Sequence, residues 1–217
     1  MTQLHRKLLL SLLAAGALAG TLSACAPLIV GGAVVGGLVA TDRRTSGAQL
    51  EDEGIELRAA SRVREALGDR AHVNLTSYNR QVLLTGEVPS EPAKQQVEQI
   101  VSRVENVRAI VNELAVMGNS TLGQRSSDTL VTGKVRASLV DAKDLYANAF
   151  KVVTERGTTY LMGRVTQREA DRATAIARTV GGVQKVVRIF ELISEQELQQ
   201  ILPQAPKPAQ GANAPRS

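Results

Sequence analysis

From residue 46 onward the apolar positions alternate between two periods. Ile55, Ala59, Val63 and Leu67 recur every four residues, one stripe of an amphipathic helix. Val73 and Leu75, then Val82 and Leu84, follow the two-residue period of strands on either side of Asn79-Arg80, which predicts a hairpin. Val97, Ile100, Val101 and Val104 return to a helical stripe, and an extended run closes the unit at Val107 to Val116. The order then repeats. Val131, Val135 and Leu139 predict a helix. Phe150 and Val152, then Tyr160 and Met162, predict two strands around Arg156-Gly157. Thr166-Gln167-Arg168-Glu169 has the form of a capping box, in which hydroxyl and carboxylate satisfy free helix amides reciprocally, and Val183 to Ile193 predicts a last strand.

Local matches support a duplication. Leu84-Thr85-Gly86-Glu87-Val88 matches Leu161-Met162-Gly163-Arg164-Val165, and Val107-Arg108-Ala109-Ile110-Val111 matches Val183-Gln184-Lys185-Val186-Val187. Val63 to Leu67 aligns with Val135 to Leu139 at a smaller offset, which predicts a longer loop near Asp141 to Asn148 and a shortened helix end. The expected fold class is α+β: two tandem α-β-β-α-β units, each a small three-stranded mixed sheet packed on two helices.

The first residues address the compartment. Arg6 and Lys7 precede an apolar stretch from Leu8 to Leu18, and small residues lead to Leu22-Ser23-Ala24-Cys25, the pattern of a secretory signal peptide. Those four residues resemble a bacterial lipobox. The resemblance implies cleavage before Cys25 and acylation of its sulfur and new amine, including palmitate-type chains, with each buried methylene contributing about 0.8 kcal/mol. Ala26 after the cysteine implies the outer membrane, periplasmic face. A second apolar run, Ala26 to Ala40, would span roughly 22 Å as a helix, short of the roughly 30 Å hydrocarbon core. Its Gly31, Gly32, Gly36 and Gly37 disfavour a helix. It reads as a flexible tether, with a buried strand as the alternative. The expected organisation is 1–24 signal peptide, 25–45 lipidated cysteine and tether, 46–117 and 124–193 the two units, 194–202 a short helix opened by Ser194-Glu195-Gln196-Glu197, and 203–217 a disordered tail.

The element order resembles the BON domain, with Leu-x-Gly-x-Val ending the second strand and Gly182-Val183-Gln184-Lys185-Val186-Val187 opening the third. The first unit departs from it with Asn106 where the second has Gly182. The duplication behind a lipobox is similar to the dual BON-domain outer-membrane lipoproteins of Gram-negative bacteria. Ser127 to Arg136 is especially like the first helix of their second domain. The resemblance implies an envelope-integrity factor that binds anionic phospholipid (phosphatidylglycerol, cardiolipin) through the second domain and concentrates at division sites.

Charge divides the two units. Residues 50–116 hold eight Lys/Arg and eleven Asp/Glu, net −3, whereas residues 124–193 hold twelve and seven, net +5. A basic face gains about 1 kcal/mol per Lys or Arg at an anionic membrane. Nucleic acid, the usual rival partner of a basic domain, is out of reach behind a signal peptide. Core positions should be apolar in both units. Leu130 fails that test, because the alignment pairs it with Arg58, so it is expected exposed on the helix shoulder. Lys134 follows one turn later and Ser138 one turn after that. An apolar side chain beside a cation suits an interfacial helix. Arg136, on another side, is available to phosphate or solvent. The phospholipid-binding candidates are therefore Leu130, Lys134, Arg136 and Ser138. Rival roles for Leu130 are a contact between the units or plain exposure, and the rival function is a protein adaptor for outer-membrane assembly or division machinery.

Other chemistry finds little footing. One cysteine precludes an intrachain disulfide, and with only two histidines a His/Cys metal cluster is not expected. His72 reads as a surface or half-buried strand residue. Glu51-Asp52-Glu53 reads as acidic residues at the start of the first helix, facing its dipole. Asp141 and Asp144 around Lys143 show no ordered oxygen-ligand loop. Gly181-Gly182 reads as a helix end. With aromatics at 2%, stacking platforms for single-stranded nucleic acid are out. No phosphate loop or catalytic constellation is present, so neither an enzyme nor a cofactor is expected.

Overall fold

The structure, a computed structural model, describes residues 42–201. The expected signal peptide, Cys25, the second apolar run, Leu202 and the expected C-terminal tail lie outside the described residues. The first unit runs α1 (Ser46–Leu67), β1 (His72–Tyr78), β2 (Gln81–Val88), α2 (Glu91–Ser102), β3 (Ala109–Asn112) and β4 (Ala115–Val116). The second runs α3 (Leu122–Asp141), β5 (Phe150–Glu155), β6 (Thr158–Val165), α4 (Gln167–Thr179) and β7 (Lys185–Leu192), followed by α5 (Glu195–Ile201). In each unit an antiparallel hairpin is extended by a parallel third strand beside its second strand. β3 and β4 are one strand interrupted at Glu113-Leu114. The expected α+β architecture is the one observed.

Both hairpin turns use two residues at positive φ: Asn79 (50°) and Arg80 (65°), then Arg156 (54°) and Gly157 (71°). Such turns match the right-handed twist of the strands but strain a non-glycine backbone. A buried aspartate holds each one. Asp52 accepts from the amides of Asn79 and Arg80, both at 2.7 Å. Asp128 accepts from Arg156 at 2.7 Å and Gly157 at 3.0 Å. Asp52 is therefore not a dipole-facing residue of a first turn: α1 begins at Ser46, and Asp52 lies in its second turn on the buried face.

The paired aspartates correct the expected alignment of the first helices. Asp52 corresponds to Asp128, the capping Thr45 to Thr121, and Ile55, Ala59 and Val63 to Val131, Val135 and Leu139. The expected pairing of Val63 with Val135 is one turn out of register. An apolar stripe repeating every four residues looks the same after a slip of one turn, so it could not set the phase. With the helices in register α3 still ends two positions earlier than α1, and its connection to β5, residues 142–149, is longer than the 68–71 connection of the first unit, as expected. Leu130 pairs with Gly54 rather than Arg58.

One core lies between each sheet and its helices. Ile55, Ala59, Val63, Val82, Leu84 and Val97 belong to the first, and Val131, Val135, Leu139, Val152, Leu161 and Ala173 to the second. The motif glycines let each hairpin close. A Cβ on Gly86 would stand 2.0 Å from the His72 carbonyl oxygen, and one on Gly163 would stand 2.4 Å from that of Ala149.

A third cluster joins the units. Tyr78, Leu83, Tyr160, Met162 and Ile189 pack together on the sheet faces turned away from the helices, with Val111 and Val187 beside them. Fully burying a side chain such as Leu83 or Met162 is worth about 1.5–3 kcal/mol. Here the expected phase of β6 was wrong: Tyr160 and Met162 face the other unit, and Leu161 enters the helix-side core. Polar contacts rim this joint. Lys151 reaches Glu56 at 2.7 Å, Asn79 donates to Glu191 at 2.7 Å, and the Arg164 amide donates to the Tyr78 hydroxyl at 3.3 Å. The end of the expected tether is held too. Arg43 is buried and makes a two-pronged pair with Glu169, at 2.6 and 2.7 Å, inside the α4 capping box. The α4 box forms as the sequence predicts, with Thr166 and Glu169 each satisfying the other's backbone amide. At α5 the Ser194 hydroxyl accepts from the Glu197 amide at 3.1 Å, while the Glu197 carboxylate turns to Arg164.

Candidate functional site

α3 opens with a complete capping box, Thr121 with Gln124. Its buried row, Asp128, Val131, Val135 and Leu139, is committed to the hairpin turn and the core. The outward face is then set by the 3.6-residue period. Leu122 and Val140 lie five turns apart on one line, at 79% and 67% exposure, and Leu130 lies beside that line at 67%. Ser126, Gly133 and Ala137, all exposed, fill the space between them. Asp128 is the one acidic residue between Leu122 and Val140, and it is buried. The outward face is thus an apolar strip about 27 Å long, with the exposed Asp141 at its C-terminal end.

The four residues expected from sequence occupy different parts of this surface. Leu130 is on the strip, so its exposure is as expected, and a contact between the units is excluded for it, because that joint runs through the sheets. Lys134 is exposed one turn further along the same shoulder and has no ion-pair partner among the described residues. Ser138 continues that row but is half-buried. Arg136 stands on the opposite shoulder, where its guanidinium donates to the Val152 carbonyl at 3.2 Å. The structure therefore brings Leu130 and Lys134 together and ties Arg136 to β5. Sequence reasoning missed Leu122 and Val140. Their signal was available: both share one helical phase, opposite to that of Val131 and about a quarter turn from that of Leu139.

Comparison with known proteins fits this duplicated architecture. The model of the BON domain matches residues 56–118 and 127–192. The chain belongs to the BON-domain family. It is similar to the outer membrane lipoprotein DolP of Haemophilus influenzae, 35% identical over 79% of this chain and 90% of that protein. It is also similar to the 21 kDa hemolysin of Actinobacillus pleuropneumoniae, 32% identical over 70% of this chain and 79% of that protein. The osmotically-inducible protein Y of Escherichia coli K12 is 28% identical over 58% of this chain and 67% of its own length. As a dual BON-domain protein, this chain has among its described residues no helix long and apolar enough to cross a membrane.

Proposed function

We propose that this dual BON-domain protein is a lipid-anchored outer-membrane lipoprotein of the periplasmic face. It is held through Cys25 after signal-peptide removal and supports envelope integrity by laying α3 on anionic phospholipid such as phosphatidylglycerol or cardiolipin. The carrying observation is the outward face of α3: exposed Leu122, Leu130 and Val140 beside Lys134, which has no ion-pair partner among the described residues, with an exposed acid only at the last residue of the helix, Asp141. Apolar side chains enter the acyl boundary while the ammonium stays at the headgroups. The lipobox-like Leu22 to Cys25 and the similarity to an outer membrane lipoprotein support the compartment. No catalytic step belongs to this role.

The test uses the full chain carrying Cys25→Ser, so that acyl chains contribute nothing, with vesicles of phosphatidylglycerol or of phosphatidylcholine. Co-flotation with the anionic vesicles, weakened by salt and abolished by Leu130→Glu at an unchanged melting temperature, is the expected result. Undiminished flotation of the Leu130→Glu chain would overturn the reading and favour an adaptor for outer-membrane assembly or division proteins.

A further inference from the structure

The joint between the units contains a polar group that neither the fold nor α3 explains. On the inner face of the first sheet, His72 of β1 stands directly across from Glu87 of β2, and Asn74 across from Thr85. Glu155, at the end of β5, comes to the same place from the second unit, where it accepts from the Asn74 amide at 2.7 Å. His72 Nδ1 is 3.0 Å from Glu87 Oε2. One donor atom each from His72, Glu87 and Glu155 all lie within 4.8 Å of one another.

Both carboxylates are buried, Glu87 completely. Buried charges are ordinarily paired, or they coordinate a metal. Glu87 Oε2 has partners, the His72 ring and the Ser120 amide at 3.0 Å. Among the described residues, Glu87 Oε1 has no hydrogen-bond partner, and neither has the buried hydroxyl oxygen of Thr85 two residues away on the same face. Arg156 Nη1 stands 3.6 Å from Oε1, on a side chain 37% exposed.

The geometry points to a divalent transition-metal site at this joint, with His72 Nδ1, Glu87 and Glu155 as ligands and a fourth position open to water. One imidazole and two carboxylates are the donor number and kind of an open zinc site, whose ligand atoms stand roughly 3.3 Å apart. The His72–Glu87 pair, at 3.0 Å, is close to that spacing, and a donor atom of Glu155 lies within 4.8 Å of the other two residues' donor atoms. Because the ligands come from both units, the ion would pin the two sheets together. The site is independent of lipid contact by α3. It also differs from the His/Cys cluster that the composition argued against, since two of its three ligands are carboxylates.

The experiment is equilibrium dialysis of the metal-free full chain in detergent against Zn2+, with bound metal counted per chain. One ion per chain is expected, with undiminished binding under an equal concentration of Mg2+ or Ca2+. His72→Ala and Glu155→Gln should each weaken binding by at least about tenfold. Arg156→Gln, which removes the competing cation, should tighten it by about tenfold. X-ray absorption of the zinc-loaded wild type should count one imidazole, a readout that does not depend on any variant folding. Absence of stoichiometric binding, full binding by a folded His72→Ala chain, weaker binding by Arg156→Gln, or an imidazole count other than one would each overturn the assignment.

Discussion

α1 and α3 are the same helix used twice, and they differ on one side only. Each is capped by a threonine, Thr45 or Thr121, and each buries an aspartate that holds its hairpin turn. Their core rows superpose from Asp52 on Asp128 to Val63 on Leu139, and α1 adds Leu67 beyond the end of α3. The outward faces do not. α1 exposes Glu53, Arg62 and Glu65 around Leu50 and Leu57, whereas α3 exposes Leu122, Leu130, Gly133, Ala137 and Val140. The cations at matching positions differ as well. Arg58 is paired with Glu51 at 2.7 Å, and Lys134 is unpaired among the described residues. The sheet constrains what a helix turns inward, and nothing in the fold constrains what it turns outward. The outward side of α3 is therefore where a function particular to the second unit can reside.

The shared aspartates offer the sharpest test of how alike the two helices are. Asp52 carries four partners: the two turn amides, the Ser77 hydroxyl at 2.6 Å and the Arg44 guanidinium at 2.7 Å. Among the described residues, Asp128 accepts hydrogen bonds from the two turn amides alone. Asp52→Ala breaks a buried charge pair as well as the turn and should cost about 3–5 kcal/mol in denaturant titrations. Asp128→Ala should cost about 1–3 kcal/mol. Equal losses would show that the turn, and not the Arg44 pair, dominates both.

Acid should expose a further asymmetry. Burial raises the Asp52 carboxyl, but Ser77, Arg80, Arg44 and Asn79 together hold it below the ordinary aspartate range. Burial likewise raises Glu169, and Arg43 with the Thr166 amide outweighs it. Carboxyls depressed in the folded state contribute stability that is fully present above their unfolded values, about 3.9 for Asp and 4.3 for Glu, and that is lost as pH falls through the folded values. Denaturation midpoints should therefore change little from pH 7 to 5 through these groups and fall below roughly pH 4. Asp52→Asn and Glu169→Gln should each flatten that fall. An unchanged acid slope in both variants would remove these two carboxyls from the account of acid unfolding.

The sequence carried the element order, both hairpin turns, the α4 capping box and the exposure of Leu130, because each rests on a local pattern of a few residues. It did not carry the register of α1 on α3, since a four-residue stripe is unchanged by a one-turn slip. Nor did it carry the phase of β6. Tyr160-Leu161-Met162 is apolar on both faces, and only the packing of sheet on sheet says which side meets which core. Arg43 with Glu169, and His72 with Glu87 and Glu155, were out of reach for another reason: their members are brought together by the joint between the units, and no spacing along the chain records it.

Lipid binding tests the outward faces directly. Leu130→Glu and Leu57→Glu place the same charge on equally exposed positions, 67% and 74%, so each should change stability by no more than about 0.5 kcal/mol. Only Leu130→Glu should weaken binding to phosphatidylglycerol vesicles, by at least about tenfold, the transfer of one leucine into the interface being worth about 1.5–3 kcal/mol. Lys134→Ala should weaken binding by less, about 1 kcal/mol, and should reduce its salt dependence. Equal losses from Leu57→Glu and Leu130→Glu would mean that the two faces act alike and that the comparison of α1 with α3 does not locate the function.

The smallest expected effect concerns the position where the first unit departs from the family signature. Gly182 has φ 104°, and a Cβ there would stand 2.5 Å from Cγ2 of Val131, in the buried row of α3. Asn106, its counterpart, has φ 66°, within the left-handed region that asparagine tolerates, and its side chain donates to Glu51 on α1 at 3.1 Å. The two backbones thus differ by enough to make one residue obligatory and the other optional. Gly182→Asn should cost about 1–2 kcal/mol by pressing on Val131 and straining the turn. Asn106→Gly should be neutral within about 0.5 kcal/mol, because relief of the left-handed backbone offsets the lost surface hydrogen bond. Thermal melts of the two single variants decide this. If Asn106→Gly proved as damaging as Gly182→Asn, the asparagine would be serving the first helix as closely as the glycine serves the second.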